Sequence, residues 1–396
     1  MAGIALAGCV KNEPVAKDNG SPELITFDAP VVTIPTKATE IVDNYPTTEN
    51  FAVYALYHEG NFTSFTATGT QLYMNNVKCT YHHENGTTEP TDYWAPENDY
   101  YWPKVGKLTF GAYAPYMENG VEWGENGFKF NGFTVGETSA NQIDLLYSER
   151  VYDKTSSSMQ NNNPTYDGIQ IPFKHALSSI VFTARAEAYT GYTFTLKEIT
   201  VNNVIETGTF NQNLKADNTG YLEGKTGPEW EVGTSVKNYV VYNNETGVKL
   251  PTGTEEVAGS TTEYKKIYFD GTTTSETAFD KVSGTRKSSL ILIPQDLDEK
   301  KSEDGSTTKQ KVTVTVKYTM QHPNPADDKQ SLTEDVTKEF KLAVTNSNPD
   351  EDNSNPNLFK WEMGKRYTYN IVIGLEKIYF APQVDDWMTG EGSFLE

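Results

Sequence analysis

The chain has 396 residues, 12% of them aromatic with 24 tyrosines among them, and a formal net charge of −21. That length exceeds one ordinary core and predicts roughly two to three domains, and the tyrosine- and threonine-rich composition favours strands over helices. The acidity excludes a nucleic-acid groove, because phosphate repulsion opposes binding, and no apolar run approaches the roughly 20 residues that span a bilayer. Arginine is confined to Arg150, Arg185, Arg286 and Arg366, so bidentate clamps on phosphate or carboxylate are not a theme. Two cysteines as unevenly placed as Cys9 and Cys79 are not a disulfide framework or a zinc site, which would need clustered ligands. They read as one processed cysteine and one buried thiol.

In chain order, Ile4-Ala5-Leu6-Ala7-Gly8-Cys9 resembles a bacterial lipobox, in which small residues precede a cysteine that is lipidated and becomes the mature N-terminus. The apolar run before it is short and no basic segment leads it, so either a signal peptide starts upstream or the match is chance. A lipid on Cys9 would anchor the chain to a membrane without spanning it. Residues 1–23 are then a signal remnant and a polar tether. Leu24–Thr36 is strand-like, with Phe27, Val31, Val32 and Ile34 between prolines. Thr36-Lys37-Ala38-Thr39-Glu40 follows, a polar segment with a lone lysine, either open to trypsin-like cleavage between Lys37 and Ala38 or an ordinary loop.

Phe51–Tyr57 and Gln71–Met74 read as short strands, and Leu108, Phe110 and Ala112 alternate between Pro103 and Pro115. A Ser/Asn-rich loop, Ser156–Asn163, places a boundary between an N-terminal domain at 24–166 and a C-terminal domain at 167–396. Phe173, His175 and Leu177 share one face and Ile180 and Phe182 the other, which predicts a bulge near Ser178–Ser179. Thr193–Val204, Lys237–Tyr242, Ser289–Ile293 and Val312–Tyr318 continue the strand pattern, separated by polar insertions at Asp298–Gln310 and Asn346–Asn357. Near the end, Tyr367, Tyr369, Ile371 and Ile373 fall at every second position; Gly374 interrupts, and Ile378–Pro382 and Val384-Asp-Asp-Trp387 close the chain. No amphipathic helix stands out. The fold class is all-β, two tandem antiparallel β-sandwiches.

Candidate chemistry is sparse. Adjacent strand residues face opposite ways, so His82 and His83 cannot both ligate one metal; with His58 they read as solvated loop histidines. His175 lies on an apolar face and needs a hydrogen-bond partner. Asp385 and Asp386 are a poor acid/base pair for the same reason of alternation, and Asp350-Glu351-Asp352 lacks the glycine and terminal glutamate of a calcium loop. No phosphate loop, HExxH or GxSxG occurs. The sequence therefore assigns no catalytic residue, metal or cofactor.

Five pieces occur together in an order that resembles the fimbrillin-like family, the subunits of type V pili of Bacteroidales. They are Leu6-Ala-Gly-Cys9; Trp102-Pro103 with Leu108-Thr-Phe110-Gly-Ala-Tyr113-Ala-Pro115; Phe173-Lys-His175-Ala-Leu177-Ser; Trp361-Glu-Met-Gly364-Lys-Arg-Tyr367-Thr-Tyr369; and Val384-Asp-Asp-Trp387. The resemblance implies two transthyretin-like sandwiches, export as an outer-membrane lipoprotein, and removal of the N-terminal segment by a trypsin-like surface protease. The cut maps to Lys37-Ala38, where the family usually carries arginine. It further implies that the vacated groove accepts a C-terminal strand from a neighbouring subunit, giving a head-to-tail homopolymer, a fimbrium that mediates cell adhesion. The displaced strand would contain Phe27, Val31, Val32 and Ile34, and the donor strand Ile378, Phe380, Val384 and Trp387. The alternative for Ile378–Trp387 is that it completes its own sandwich. Two domains use up the length, which favours a shaft subunit over a tip subunit. A pilus anchor, or a surface glycan-binding lipoprotein using Tyr93, Trp94, Tyr100 and Tyr101 as a stacking platform, are the other readings. The receptor is not legible.

Overall fold

The computed structural model describes residues 23–28, 31–34, 41–45, 47–84, 91–158, 160–163, 166–217, 219–253, 265–267, 269, 289–303, 305–343, 358–375 and 378–386. The strands of the first half are β1 (Val31–Ile34), β2 (Ile41–Asn44), β3 (Phe51–His58), β4 (Gln71–Glu84), β5 (Thr91–Pro96), β6 (Lys107–Ala114), β7 (Val121–Gly124) and β8 (Gly127–Thr134). Next come β9 (Leu146–Ser148), β10 (Val151–Lys154), β11 (Gln160–Asn163), β12 (Tyr166–Gly168), β13 (Pro172–His175), β14 (Ser178–Glu187), β15 (Thr193–Ile205), β16 (Thr207–Asn211) and β17 (Glu229–Val232). Then follow β18 (Val236–Lys249), β19 (Thr252–Gly253), β20 (Lys265–Ile267), β21 (Leu290–Leu292), β22 (Lys300–Lys301) and β23 (Thr307–Lys309). The chain finishes with β24 (Thr313–Asn324), β25 (Asp327–Lys341), β26 (Lys365–Ile373) and β27 (Ile378–Asp386). The helical residues described are two single 3₁₀ turns, so the all-β expectation is met.

Two compact units form, one from residues 1–129, 146–174 and 211–229, the other from 130–145, 175–210 and 230–396. The sequence places one boundary at 166/167; in the structure residues 130–145 join the second unit, and 167–174 with 211–229 join the first. The physical reason is long-range strand pairing, since a sheet takes its neighbours from distant segments. The bulge expected at Ser178–Ser179 is instead a break at Ala176–Leu177, where β13 ends and β14 begins.

In the first unit the ladder runs β11-β12-β5-β4-β3-β6-β9-β13-β1-β2, with β10 also on β6. β3 is central and all eight of its residues are buried, as expected of a strand covered on both faces. Its core gathers Phe27, Phe51, Trp94, Trp102, Phe110 and Phe173. In the second unit β14 stands between β26 and β19, with β20 and β21 also on β14, and β27 flanks β26. A second sheet runs β18-β15-β24-β25. Val314, Val316 and Tyr318 of β24 point inward and are buried, the alternation that the sequence displays most cleanly. Most pairs are antiparallel, but β1 with β13, β12 with β5, β14 with β19, and β14 with β26 are parallel.

Candidate functional site

Ile25-Thr26-Phe27 is a strand-like segment held on both sides within the first unit. Toward β5, Phe27 N–H donates to Trp94 O at 2.8 Å and Trp94 N–H returns a bond to Phe27 O at 2.9 Å. Ile25 N–H donates to Tyr100 O at 2.8 Å, and Trp102 N–H donates to Glu23 O at 3.0 Å. On the other side Ile169 N–H donates to Thr26 O at 3.0 Å and Asp28 N–H to Ile169 O at 3.1 Å. Six backbone bonds thus fix six residues, Glu23 to Asp28, from two directions.

Alternation sends Ile25 and Phe27 inward, where they are 1% and 0% exposed. The Phe27 ring meets Phe51 and Phe110 edge-on at 5.8 and 5.7 Å, the geometry that suits the ring quadrupole. Gly168 closes the far wall. A Cβ there would lie 2.5 Å from the Phe27 carbonyl carbon, so the segment can come this close only because the wall residue has no side chain. Farther along, Val31 and Val32 pair in parallel with Pro172 and Phe173, and β1 pairs antiparallel with β2, Ile34 opposite Ile41. Lys37 and Ala38, in the connection between β1 and β2, lie outside the described residues, as does Cys9.

β27 presents the opposite case. Among the described residues it pairs with β26 alone, Ile378 opposite Ile373, Phe380 opposite Ile371 and Val384 opposite Tyr367. Here it completes a sheet of its own chain. Ile378 and Val384 are half-buried, and Trp387 lies outside the described residues. The partner strand is firmly seated: Tyr367, Tyr369, Ile371 and Ile373 are buried, and Trp361 Nε1–H donates to the Tyr369 hydroxyl at 3.0 Å.

The remaining candidates are structural in their surroundings. His58 is buried, its Nδ1 2.7 Å from Gly60 O and its Nε2 2.9 Å from Thr109 Oγ1; it is not the solvated loop residue expected. His82 and His83 sit on β4 and not in a loop; His82 stacks on Tyr93 at 5.4 Å. His83 bonds Asp92, and that bond holds the Asp92 carboxyl below its ordinary range. His175 has the partner its apolar setting demands, Asp144 Oδ1 at 2.8 Å. Asp386 pairs with Lys365 across the β26–β27 ladder. Burial pushes the Cys79 thiol well up. Among the described residues no group of three or more metal-ligating side chains occurs.

The stacking platform that the glycan-binding alternative would build from Tyr93, Trp94, Tyr100 and Tyr101 lacks Trp94, which is 0% exposed and packs on Phe51 at 5.3 Å and Tyr81 at 5.8 Å. Its large apolar area belongs to the core, and a sugar cannot reach its face. An open groove of about 510 Å³ lies elsewhere in this unit, lined by Tyr54, Asn75, Glu122, Trp123, Asn126 and Lys129. There Trp123 is engaged by Phe65 at 4.8 Å and Tyr54 at 5.6 Å.

Sequence reasoning missed Ile25 as a member of the inserted strand, and missed Gly168 and Ile169 as its wall. The Ile25-x-Phe27 spacing carried the first signal. The wall had none, since its partners are more than a hundred residues away.

The profile of a family described as fimbrillin-like matches residues 36–387. A fimbrial protein from Bacteroides vulgatus aligns over 91% of this chain and 100% of its own, at 16% identity and a TM-score of 0.48. A candidate cell adhesion protein from Bacteroides uniformis aligns over 91% and 98%, at 16% identity and a TM-score of 0.41. A similar protein from Bacteroides ovatus aligns over 93% and 99%, at 14% identity and a TM-score of 0.40. No match was found among curated proteins.

Proposed function

The chain belongs to the fimbrillin-like family, and on that premise we propose that it is a structural shaft subunit, exported as a lipoprotein precursor and polymerised by strand exchange. Family membership supports assembly with other pilin subunits in a cell-surface appendage, and a structural role in place of a catalytic one. No described helix is long and apolar enough to cross a membrane; a lipid on Cys9 would supply the attachment to the outer membrane.

The observation that carries the reading is the two-sided seat of residues 23–28. Cleavage after Lys37 by a trypsin-like surface protease would sever this segment from the rest of the chain, together with β1 and the lipidated Cys9. One cut then frees the subunit from the membrane and opens the groove. Left behind would be Trp94 N–H and O, Tyr100 O, Trp102 N–H, and Ile169 N–H and O, all without their partners, beside the apolar slot of Ile25 and Phe27. Unpaired backbone groups next to exposed apolar surface favour a replacement strand. Each large side chain reburied contributes about 1.5–3 kcal/mol, and each backbone bond remade about 1 kcal/mol. A strand donated by one copy to the next is a heterologous contact that does not close, so it propagates as a filament.

The test compares the full chain with a variant ending before Ile378, both treated with a trypsin-like protease and followed by light scattering. The full chain should elongate after cleavage and the truncated one should stay monomeric. Equal elongation by both would remove β27 as the donor. Cleavage without elongation of either would move the assignment to an anchor subunit.

A further inference from the structure

The seat of residues 23–28 reads a short side-chain code, and the end of the chain carries the same code. The buried positions are Ile25 and Phe27, within Ile25-Thr-Phe27-Asp-Ala29-Pro30; β27 begins Ile378-Tyr-Phe380-Ala381-Pro382. We propose that the Ile-x-Phe triplet is the recognition element of strand exchange, with Ile378 of a second copy taking the place of Ile25 and Phe380 the place of Phe27. This rests on the function proposed above and adds the register and the residues that fix it.

Hydrogen bonding selects that register. With 378 at 25, the N–H of Ile378 meets Tyr100 O, Phe380 exchanges both bonds with Trp94, the N–H of Ala381 meets Ile169 O, and Tyr379 O accepts from Ile169, repeating every bond made at 25 to 28. Pro382, which has no N–H, falls at position 29, one past the last of these bonds. Tyr379 takes the half-buried place of Thr26, where a larger side chain finds room at the surface.

Neighbouring registers fail. A shift by two in one direction puts Pro382 at position 27, where the N–H to Trp94 O is lost. The opposite shift puts Glu376 in the place of Ile25, burying a carboxylate with no partner. A shift by one turns both apolar residues away from the slot.

The triplet occurs elsewhere, at Ile171-Pro-Phe173, Ile180-Val-Phe182 and Ile267-Tyr-Phe269. Those copies are already spent on their own units: Ile171 and Phe173 are 0% exposed, Ile180 and Phe182 1% and 0%, Ile267 and Phe269 2% and 3%. Ile378 is half-buried on an edge strand bonded, among the described residues, on one side. Leaving β26 for the seat exchanges one row of backbone bonds for two.

The test is a register-specific cross-link. Leu24 and Tyr101 are direct antiparallel partners, so the residue that replaces Leu24 comes within disulfide reach of position 101. In the proposed register that residue is Lys377. Full-length protein carrying Tyr101→Cys in a Cys79→Ala background is cleaved after Lys37 and mixed with an excess of synthetic peptide 374–387 bearing cysteine in place of Leu375, Lys377 or Tyr379. The Lys377→Cys peptide should cross-link at least about tenfold faster than the other two. In the unlabelled peptide, Phe380→Ala should weaken capture about 100-fold or more, and Tyr379→Ala about threefold at most. Capture with preferred cross-linking at 375 or 379 would overturn the register while leaving strand exchange intact. No capture of any peptide by cleaved protein would overturn strand exchange itself.

Discussion

The two ends of this chain are both short, apolar and strand-forming, yet they are held in opposite ways. Residues 23–28 are bonded from two sides, and Phe27 is inserted among Phe51, Phe110 and Gly168. Among the described residues β27 is an edge, bonded through β26, with Ile378 and Val384 half-buried. A segment bonded on two sides is costly to withdraw, whereas an edge strand can leave its ladder at the cost of one row of bonds. Under the strand exchange proposed above, placing the tight joint at the segment to be cut, and the loose one at the segment to be donated, would give proteolysis control of assembly.

Phe27→Ala probes the tight end and should have the largest effect. Removing a fully buried ring costs about 3–5 kcal/mol, read by denaturant unfolding of the intact chain. The sharper half of the prediction is that the same variant, once residues 1–37 are removed, assembles like the wild type, because the altered residue has left. Gly168→Val makes the complementary case. Its side chain would collide with the backbone of any strand in the seat, so it should destabilise the intact chain by about 1–3 kcal/mol and also slow elongation after cleavage. If Gly168→Val affected the precursor alone, the shared-seat idea would be wrong.

Cys79 offers a third handle, a change of state in place of a change of sequence. It is 0% exposed in the same core as Phe27, and burial raises its thiol pKa, so thiolate is scarce and alkylation slow. Cleavage should raise its alkylation rate at least about tenfold, and polymerisation should bring protection back. The smallest effect is expected at Asp92→Asn. The bond to His83 lowers the Asp92 carboxyl pKa, so its stabilisation is present above the ordinary carboxylate range and fades as pH falls through the lowered value. The exposed His83 partner keeps it small: Tm should fall by about 2 °C or less at neutral pH, and the variant and wild-type curves should converge in strongly acidic solution.

Much of the fold was readable because period-2 alternation is local. Leu108, Phe110 and Ala112 announced β6, Val314 and Val316 announced β24, and Tyr367 to Ile373 announced β26. What alternation cannot report is partnership. Nothing near Phe27 says that Trp94 and Ile169 will flank it, or that β14 will lie parallel to β26. For that reason the proposed boundary at 166/167 met an interleaved pair of units. Trp94 was ambiguous for a related reason: an aromatic cluster looks the same in sequence whether it faces a ligand or a core, and only the packing of Phe51 and Tyr81 around it decides.

The most direct test of the account is timed trypsin digestion of the purified chain, with N-terminal mapping and electron microscopy of each time point. An early cut after Lys37, a new N-terminus at Ala38, and filaments that appear only after that cut are the expected result. Filaments formed by the uncut chain, or a chain cut quantitatively at Lys37 that remains monomeric, would contradict it.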